Sequence, residues 1–430
     1  MQKIWDILVI GMGASGCMAG IAAALQGASV ALIDGNEKVG KKIYITGKGR
    51  CNVTNATPLP EFMDGLAHNS RFLYSALYHF TNQDLMDFFA QHGQNVKIER
   101  GERVFPTSDH SNDINRVLEK VLRENGATLY FHHLAEKIAY DAEHALFTVS
   151  VLGRETMQAR RLILACGGQS YPSTGSTGDG YRFAAGFGHS IQEPHPSLVP
   201  ITLSDPYIAT WEGISLKNIA LKARLGKRKK PLSCFGEMLF TREGISGPVV
   251  LTLSALLAGK KNEEITLSLD WKPALDAETL RKRLVREREK APNRALSTLF
   301  QSFLPKRCID VFLEKGGWDA AEPFHSWTRE EEEHFIALLK DFPLTFSGFG
   351  SFKQAVITRG GVTVKEIDPS TMESRKQKGL YIAGEMADVD GFTGGYNLQI
   401  AFSMGHLAGD SAAASLNGKK KETLMGRKKL

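Results

Sequence analysis

The sequence predicts an α/β fold: a parallel-sheet domain built from both ends of the chain, interrupted by a β-rich insertion and then a helical one. Three observations predict it. Strand–glycine–helix units both open and close the chain. Residues 194–272 read as short strands between turns. Residues 273–345 read as helices rich in Leu, Glu, Lys and Arg.

The opening unit is DILVIGMGASG. An apolar strand, 7–10, enters a turn in which Gly11, Gly13 and Gly16 stand in G-x-G-x-x-G spacing. The first glycine permits the tight turn, the second lets backbone approach a pyrophosphate, and the third lets helix pack on strand. The helix that follows, 16–25, is Ala-rich, and its first amides and dipole favour phosphate. A second strand, 29–33, ends at Asp34, an acid placed for ribose hydroxyls. The fingerprint alone leaves FAD and NAD open.

At 430 residues the chain has room for two or three domains. It has no apolar run long enough to span a bilayer and no secretory pattern at its start, so a cytoplasmic protein without membrane contact is expected. Five scattered cysteines suggest neither a disulfide framework nor a metal site. The net charge of +6 is concentrated in the run KRKK at 227–230, in the mixed stretch 281–290 and in the tail KKKETLMGRKKL. These runs read either as solvated surface or as contacts to an anionic partner such as RNA.

After Asp34 a Gly- and Lys-rich stretch should form an ordered loop over the nucleotide. Gly40, Lys41 and Lys42 are placed to reach phosphate, and Thr46, Gly47, Lys48, Gly49, Arg50, Cys51 and Asn52 form a dense polar cluster. The cluster does not match a Walker A loop. Residues 69–93 read as helical, 113–124 as a helix, and 128–131, 147–151 and 159–164 as strands. A strand at 162–165 meets the doublet Gly167–Gly168, where backbone can pass close to a flat or charged group. Within the insertion, LVPITL, SLKNIALKARL, GEMLFTR, GPVVLTL and EITLSLDW read as strands. Near the C-terminus a strand runs through Arg359, and another, 380–383, leads into Gly384 and Glu385. Gly391, Gly394 and Gly395 then precede a helix at 396–414 that begins with Tyr396 and Asn397. The division expected is a discontinuous nucleotide-binding domain, 1–193 with 346–415, a β-rich insertion, 194–272, a helical insertion, 273–345, and a basic tail, 416–430.

These units together resemble the glutathione-reductase-type FAD fold, a Rossmann-like FAD-binding domain. Closer still, TGKGRCNVTN, ERVFP, CGG with GSTGDGY, HPSLVPI, FTREGISGP, TRGGV and AGEMADVDGFTGGYNLQIA resemble the bacterial BaiN/YhiN-type flavoproteins, described as NAD(P)/FAD-dependent oxidoreductases. The resemblance covers nearly the full length; Glu102 stands where a glycine is expected. It implies bound FAD. It also implies reduction of a C=C bond conjugated to a carbonyl, with either uridine of large-subunit ribosomal RNA (giving dihydrouridine) or a small enone such as a 3-oxo bile acid as substrate. A flavin-containing binding protein without turnover is the third reading. The chain has no second G-x-G-x-x-G, so NAD(P)H would bind only transiently.

On this reading Gly11, Gly13, Ala14, Ser15, Gly16 and Asp34 hold the ADP half of FAD, and Gly40, Lys41 and Lys42 close over it. Gly47, Lys48, Gly49, Arg50 and Asn52 line the loop, and Gly167 and Gly168 pass close to the cofactor. Gly384 and Glu385 serve the ribityl chain, while Gly394, Gly395, Tyr396 and Asn397 approach the ring. Four side chains are candidates for catalysis. Cys51, beside cationic Arg50, would have a lowered pKa and serve as proton donor, or simply pack. Arg50 and Arg359 would steady reduced flavin or an anionic substrate, or form structural ion pairs. His195 would act as acid or hydrogen-bond donor, or be a constrained structural residue.

Overall fold

The computed structural model describes residues 3–226 and 230–416. The basic tail from 417 on and the first three cations of the 227–230 run lie outside the described residues. The chain divides into two units, 1–196 with 356–430, and 197–355.

The first unit is organised on strand β1 (Ile4–Ile10), followed by helix α1 (Ala14–Leu25) and strand β2 (Val30–Ile33). β1 pairs in parallel with β2 on one side and with Met157–Leu164 on the other. Thr128–Tyr130 extends the sheet in parallel beyond β2, and Leu380–Ile382 pairs in parallel with Leu162 to Leu164. The hairpin of Ala135–Asp141 and Leu146–Val151 completes it in antiparallel sense. Residues Ile7, Leu8 and Val9 are buried, which is why this strand reads as a continuous apolar run rather than an alternation.

Helix α1 is buried along its length except at Leu25, and it packs against the C-terminal helix Tyr396–Leu416. Small residues make that contact possible. A Cβ at Gly405 would run into the Ser15 carbonyl, and one at Gly409 into the Ala19 carbonyl. Neither glycine was singled out in the sequence reading.

The stretch expected as helical, 69–93, is broken. Tyr74–His79 and Asn82–Gln91 are separate helices. Thr81 ends the first by capping the second: its hydroxyl accepts from the Asp84 N–H at 3.0 Å, and the Asp84 carboxylate accepts from the Thr81 N–H at 2.8 Å.

The second unit has a seven-stranded sheet. The long antiparallel hairpin Ser215–Leu225 with Leu232–Thr241 forms its centre. GPVVLTL, expected as a strand, is instead the start of the helix Pro248–Leu257. Pro248 takes the first helical turn, where its missing N–H costs nothing, and Gly247 enters at φ +104°. The sequence reading separates a β-rich insertion from a helical one, whereas here both stretches bury side chains in one core. Trp211, Phe240 and Leu267 from the first stretch pack there with Phe312, Phe335 and Phe342 from the second. The reason is that the chain returns to the sheet after the helices, through Phe342–Leu344 and Phe346–Phe349. Among the described residues no helix is long and apolar enough to cross a membrane.

The α1 contact gives the first prediction. Gly405→Ala and Gly409→Ala should each lower unfolding free energy by ~1–3 kcal/mol, the usual cost of overpacking. The gain of ~1 kcal/mol in helix propensity offsets this only in part. Urea denaturation followed by circular dichroism measures it; unchanged midpoints would contradict the packing described.

Candidate functional site

The turn between β1 and α1 is set by backbone. The Gly11 N–H donates to Ile33 O at 2.9 Å, at φ +104°, and a Cβ there would collide with the Ala165 carbonyl. Gly16 lies against the Gly11 carbonyl with no room for a side chain. Gly13 is different. It precedes α1 with ordinary φ (−78°), and a Cβ added to it would meet nothing within 4 Å. Open space therefore faces the first turn of α1, a turn with no acidic side chain. Ala14 and Ser15 begin the helix, and the buried Ser15 hydroxyl has no hydrogen-bond partner. These features fit a phosphate group.

Asp34 closes the rim. Its carboxylate accepts from the Met12 N–H at 2.7 Å and from both the backbone and the side-chain N–H of Asn36 at 2.8 Å, which leaves one lone-pair site for a hydroxyl donor. Gly40, at φ +64°, bonds Met12 O at 2.8 Å and lies tight against the Asn115 amide. Lys41 pairs with Glu37 at 3.1 Å on the exposed side.

Lys42 does not reach toward α1. It pairs with Glu385 at 2.7 Å and donates to Ser170, joining residues 343 apart in sequence. The other Glu385 oxygen accepts from the Ser170 hydroxyl at 2.7 Å and the Thr358 N–H at 2.8 Å. The Thr358 hydroxyl accepts from the Gln169 N–H at 2.7 Å. Gly168 faces this network so closely that a Cβ would meet both Thr358 and Glu385, and Gly167 turns at φ +74° beside Ser176. Ser170 and Thr358 were missed by the sequence reading. Their only signal was position: one lies two residues past the glycine doublet, the other next to Arg359.

The loop 46–55 and the glycines of the C-terminal unit come together. The Asn55 amide donates to Gly394 O at 3.0 Å, and Gly395, at φ +100°, abuts the Thr54 backbone. The buried Thr54 hydroxyl donates to the Gln399 side chain at 2.7 Å. Asn397 spans the turn before its own helix, accepting from the Gly391 N–H and donating to Gly391 O, both at 2.8 Å. The Tyr396 ring packs on Phe62 with centroids 4.7 Å apart. Gly384, at φ +80°, rests on Ser15 and so ties this segment to α1.

A family model described as the HI0933-like protein Rossmann domain matches residues 5–411. The chain belongs to this family. The HI0933-like family includes the BaiN/YhiN-type flavoprotein oxidoreductases. The chain is 34% identical to a 3-dehydro-bile acid delta(4,6)-reductase of Clostridium scindens, over 94% of this chain and 98% of that protein. It is 31% identical to a ribosomal RNA dihydrouridine synthase of Haemophilus influenzae, over 94% of this chain and 97% of that protein. A solved 3-ketosteroid delta1-dehydrogenase of Sterolibacterium denitrificans shares the fold, with TM-score 0.52 and 13% identity over 96% of this chain and all of that one.

In this family member the loop 46–52 is conformationally costly. Gly47, Lys48, Gly49 and Cys51 all have positive φ, and for Lys48 and Cys51 the left-handed region costs ~1–2 kcal/mol each. Arg50 is held by two carboxylates. It bonds Glu99 and Asp109 and lies 4.1 Å from the Phe105 ring centroid, while Lys97 shares Asp109 at 2.6 Å. The expected lowering of the Cys51 pKa is therefore reversed. Arg50's charge is engaged by two carboxylates, the thiol is buried, and desolvation pushes it up to about 12. Beside it the Asn52 side-chain oxygen is buried without a partner, an acceptor suited to a donor group of a bound ring. His195 and Arg359 lie on the two paired strands Ile191–Ser197 and Ile357–Val362, the second of which also carries Thr358 of the Glu385 network. His195 is 35% exposed and 4.0 Å from Glu193, and Arg359 is half-buried.

Cys51 should consequently resist alkylation. At pH 8 a thiol so raised stays protonated. Iodoacetamide labelling with peptide mapping should find Cys51 unmodified in the native protein and modified after denaturation. Rapid native labelling would contradict its burial.

Proposed function

We propose that the protein is an FAD-dependent oxidoreductase that reduces a carbon–carbon double bond conjugated to a carbonyl, with uridine in ribosomal RNA as its substrate. The observation that carries the flavin part is the meeting of the 11–16 turn with Gly384, which rests on Ser15 in the first turn of α1. The open space at Gly13 and the unpartnered Ser15 hydroxyl are suited to a pyrophosphate. Asp34 would hold ribose hydroxyls. The Lys42–Glu385 pair would fix the backbone that carries Gly384 against α1, and Asn52 would accept from the ring. When bound and reduced, FAD supplies the hydride for the β-carbon of the conjugated bond, and NAD(P)H is its proposed reductant. The α-carbon needs a proton. His195 has the exposure a donor to an incoming substrate requires, and the sealed Cys51 does not.

The RNA reading rests on the relative named as a dihydrouridine synthase and on the basic runs, since phosphate contacts need Lys and Arg. The relative named as a bile-acid reductase supports a small enone as the second reading. Both substrates present the same conjugated bond.

Anaerobic stopped-flow absorbance tests the choice. Protein reduced with NADPH should be reoxidised by unmodified large-subunit ribosomal RNA, with dihydrouridine formed. Reoxidation by a 3-oxo-4-ene steroid acid alone would transfer the function to the second reading, and a protein that takes up no FAD would overturn both. His195→Gln should leave flavin reduction intact and slow reoxidation by roughly 10²-fold or more. Gly13→Asp should keep the apo fold, because the site has room for the side chain, yet lose FAD to electrostatic and steric exclusion. Thermal melting and flavin absorbance read these separately.

A further inference from the structure

The outer face of the hairpin Ser215–Leu225 with Leu232–Thr241 leaves an aromatic ring in solvent. Along Leu232–Thr241 the side chains alternate. Met238 and Phe240 enter the core, whereas Ser233, Phe235, Glu237 and Leu239 face out. Phe235 is 65% exposed and Leu239 is 38% exposed. A single exposed apolar side chain is ordinary on a protein surface, so what surrounds this ring decides its use.

The ring is also laterally accessible. Its neighbour across the ladder is Ala220, and its neighbour in the chain is Gly236. Ala220 in turn faces Asp270 on the next strand, Ile265–Asp270. Two and four residues beyond Ala220, on the same face, stand Lys222 and Arg224. The acids near this face are already attended by cations. Asp270 is 3.4 Å from Lys222 and 2.9 Å from Lys340, and Asp341 is 3.4 Å from Arg224. Glu237 is the remaining exposed acid on the strand, and Lys217 and Lys230 are exposed at the ends of the hairpin. Lys222 is committed to Asp270 and to the Lys340 carbonyl, whereas Arg224 and Lys230 remain exposed.

We propose that this face, centred on Phe235, binds a single-stranded segment of RNA by stacking a base on the Phe235 ring while Arg224 and Lys230 contact phosphates. A sheet that presents an aromatic ring among cations can stack an unpaired base of any identity. Glu237 offers an acceptor for a base amino group. A second copy of the chain is a poorer occupant, because a self-paired face would bring like charge against like. The inference rests on the RNA reading above, and it assigns to a described surface what that reading left to basic runs in the sequence.

Fluorescence anisotropy with a labelled, single-stranded, uridine-containing oligonucleotide of ribosomal sequence tests it on the flavin-loaded protein. Phe235→Ala should weaken binding on the order of 10- to 100-fold with the salt dependence unchanged, since stacking releases no counterions. Phe235→Trp should restore it. Replacing Arg224 and Lys230 with Gln should instead flatten the slope of log affinity against log salt by about 1.4. Circular dichroism and thermal melting of each variant report that the fold is retained. Equal RNA affinity of wild type and Phe235→Ala overturns the proposal while leaving the RNA reading in place. No binding by the wild type overturns both. A wild-type dimer in sedimentation that becomes monomeric with Phe235→Ala overturns it in favour of a contact between copies.

Discussion

The close approach of α1 to the backbone around it is the constraint on which the first unit depends. Four glycines allow it. Gly16 lies on the Gly11 carbonyl, Gly384 on Ser15, Gly405 on the Ser15 carbonyl and Gly409 on the Ala19 carbonyl. Each contact substitutes backbone for side chain, so the first turn of α1 is gripped by segments from both ends of the chain. A helix N-terminus held this way keeps its amides aligned on one point in space, and the partial positive charge there is available to an anion. The open side, at Gly13, is the one direction in which backbone does not close in.

The same economy of side chains explains the charge placement. The Lys42–Glu385 pair, with Ser170 and Thr358, ties three chain segments behind the glycine surfaces. Arg50, with Glu99, Asp109 and Lys97, does the same for the loop 46–52 on its exposed side. Ion pairs this accessible contribute little stability individually. Their value lies in geometry, because they fix where a strained loop runs, and the strain itself is concentrated at Lys48 and Cys51.

The second unit follows a different logic. Its sheet and its helices share one aromatic core, and the strands that close the sheet come after the helices in sequence. Its outer hairpin face was shaped by alternation, which put Phe235 into solvent as a consequence of burying Met238 and Phe240. An apolar residue at an outward position of a two-residue period is the feature on which the proposed RNA contact rests.

Local signals were enough for the nucleotide-binding unit. Gly11, Gly13, Gly16 and Asp34 could be read directly, because strand, turn and helix follow one another within some thirty residues and each glycine answers a local steric demand. The family could be read from contiguous motifs for the same reason. The break at Thr81 and the helix at Pro248 were also encoded locally, in a capping box and a proline, but apolar periodicity outweighed them in the reading. The rest required the tertiary structure. Which charge meets Lys42, where Arg50 points, and that Cys51 is sealed with its pKa raised are set by segments far away in sequence. A side chain's composition announces its charge, but its partner and its solvent exposure exist only once distant strands have packed.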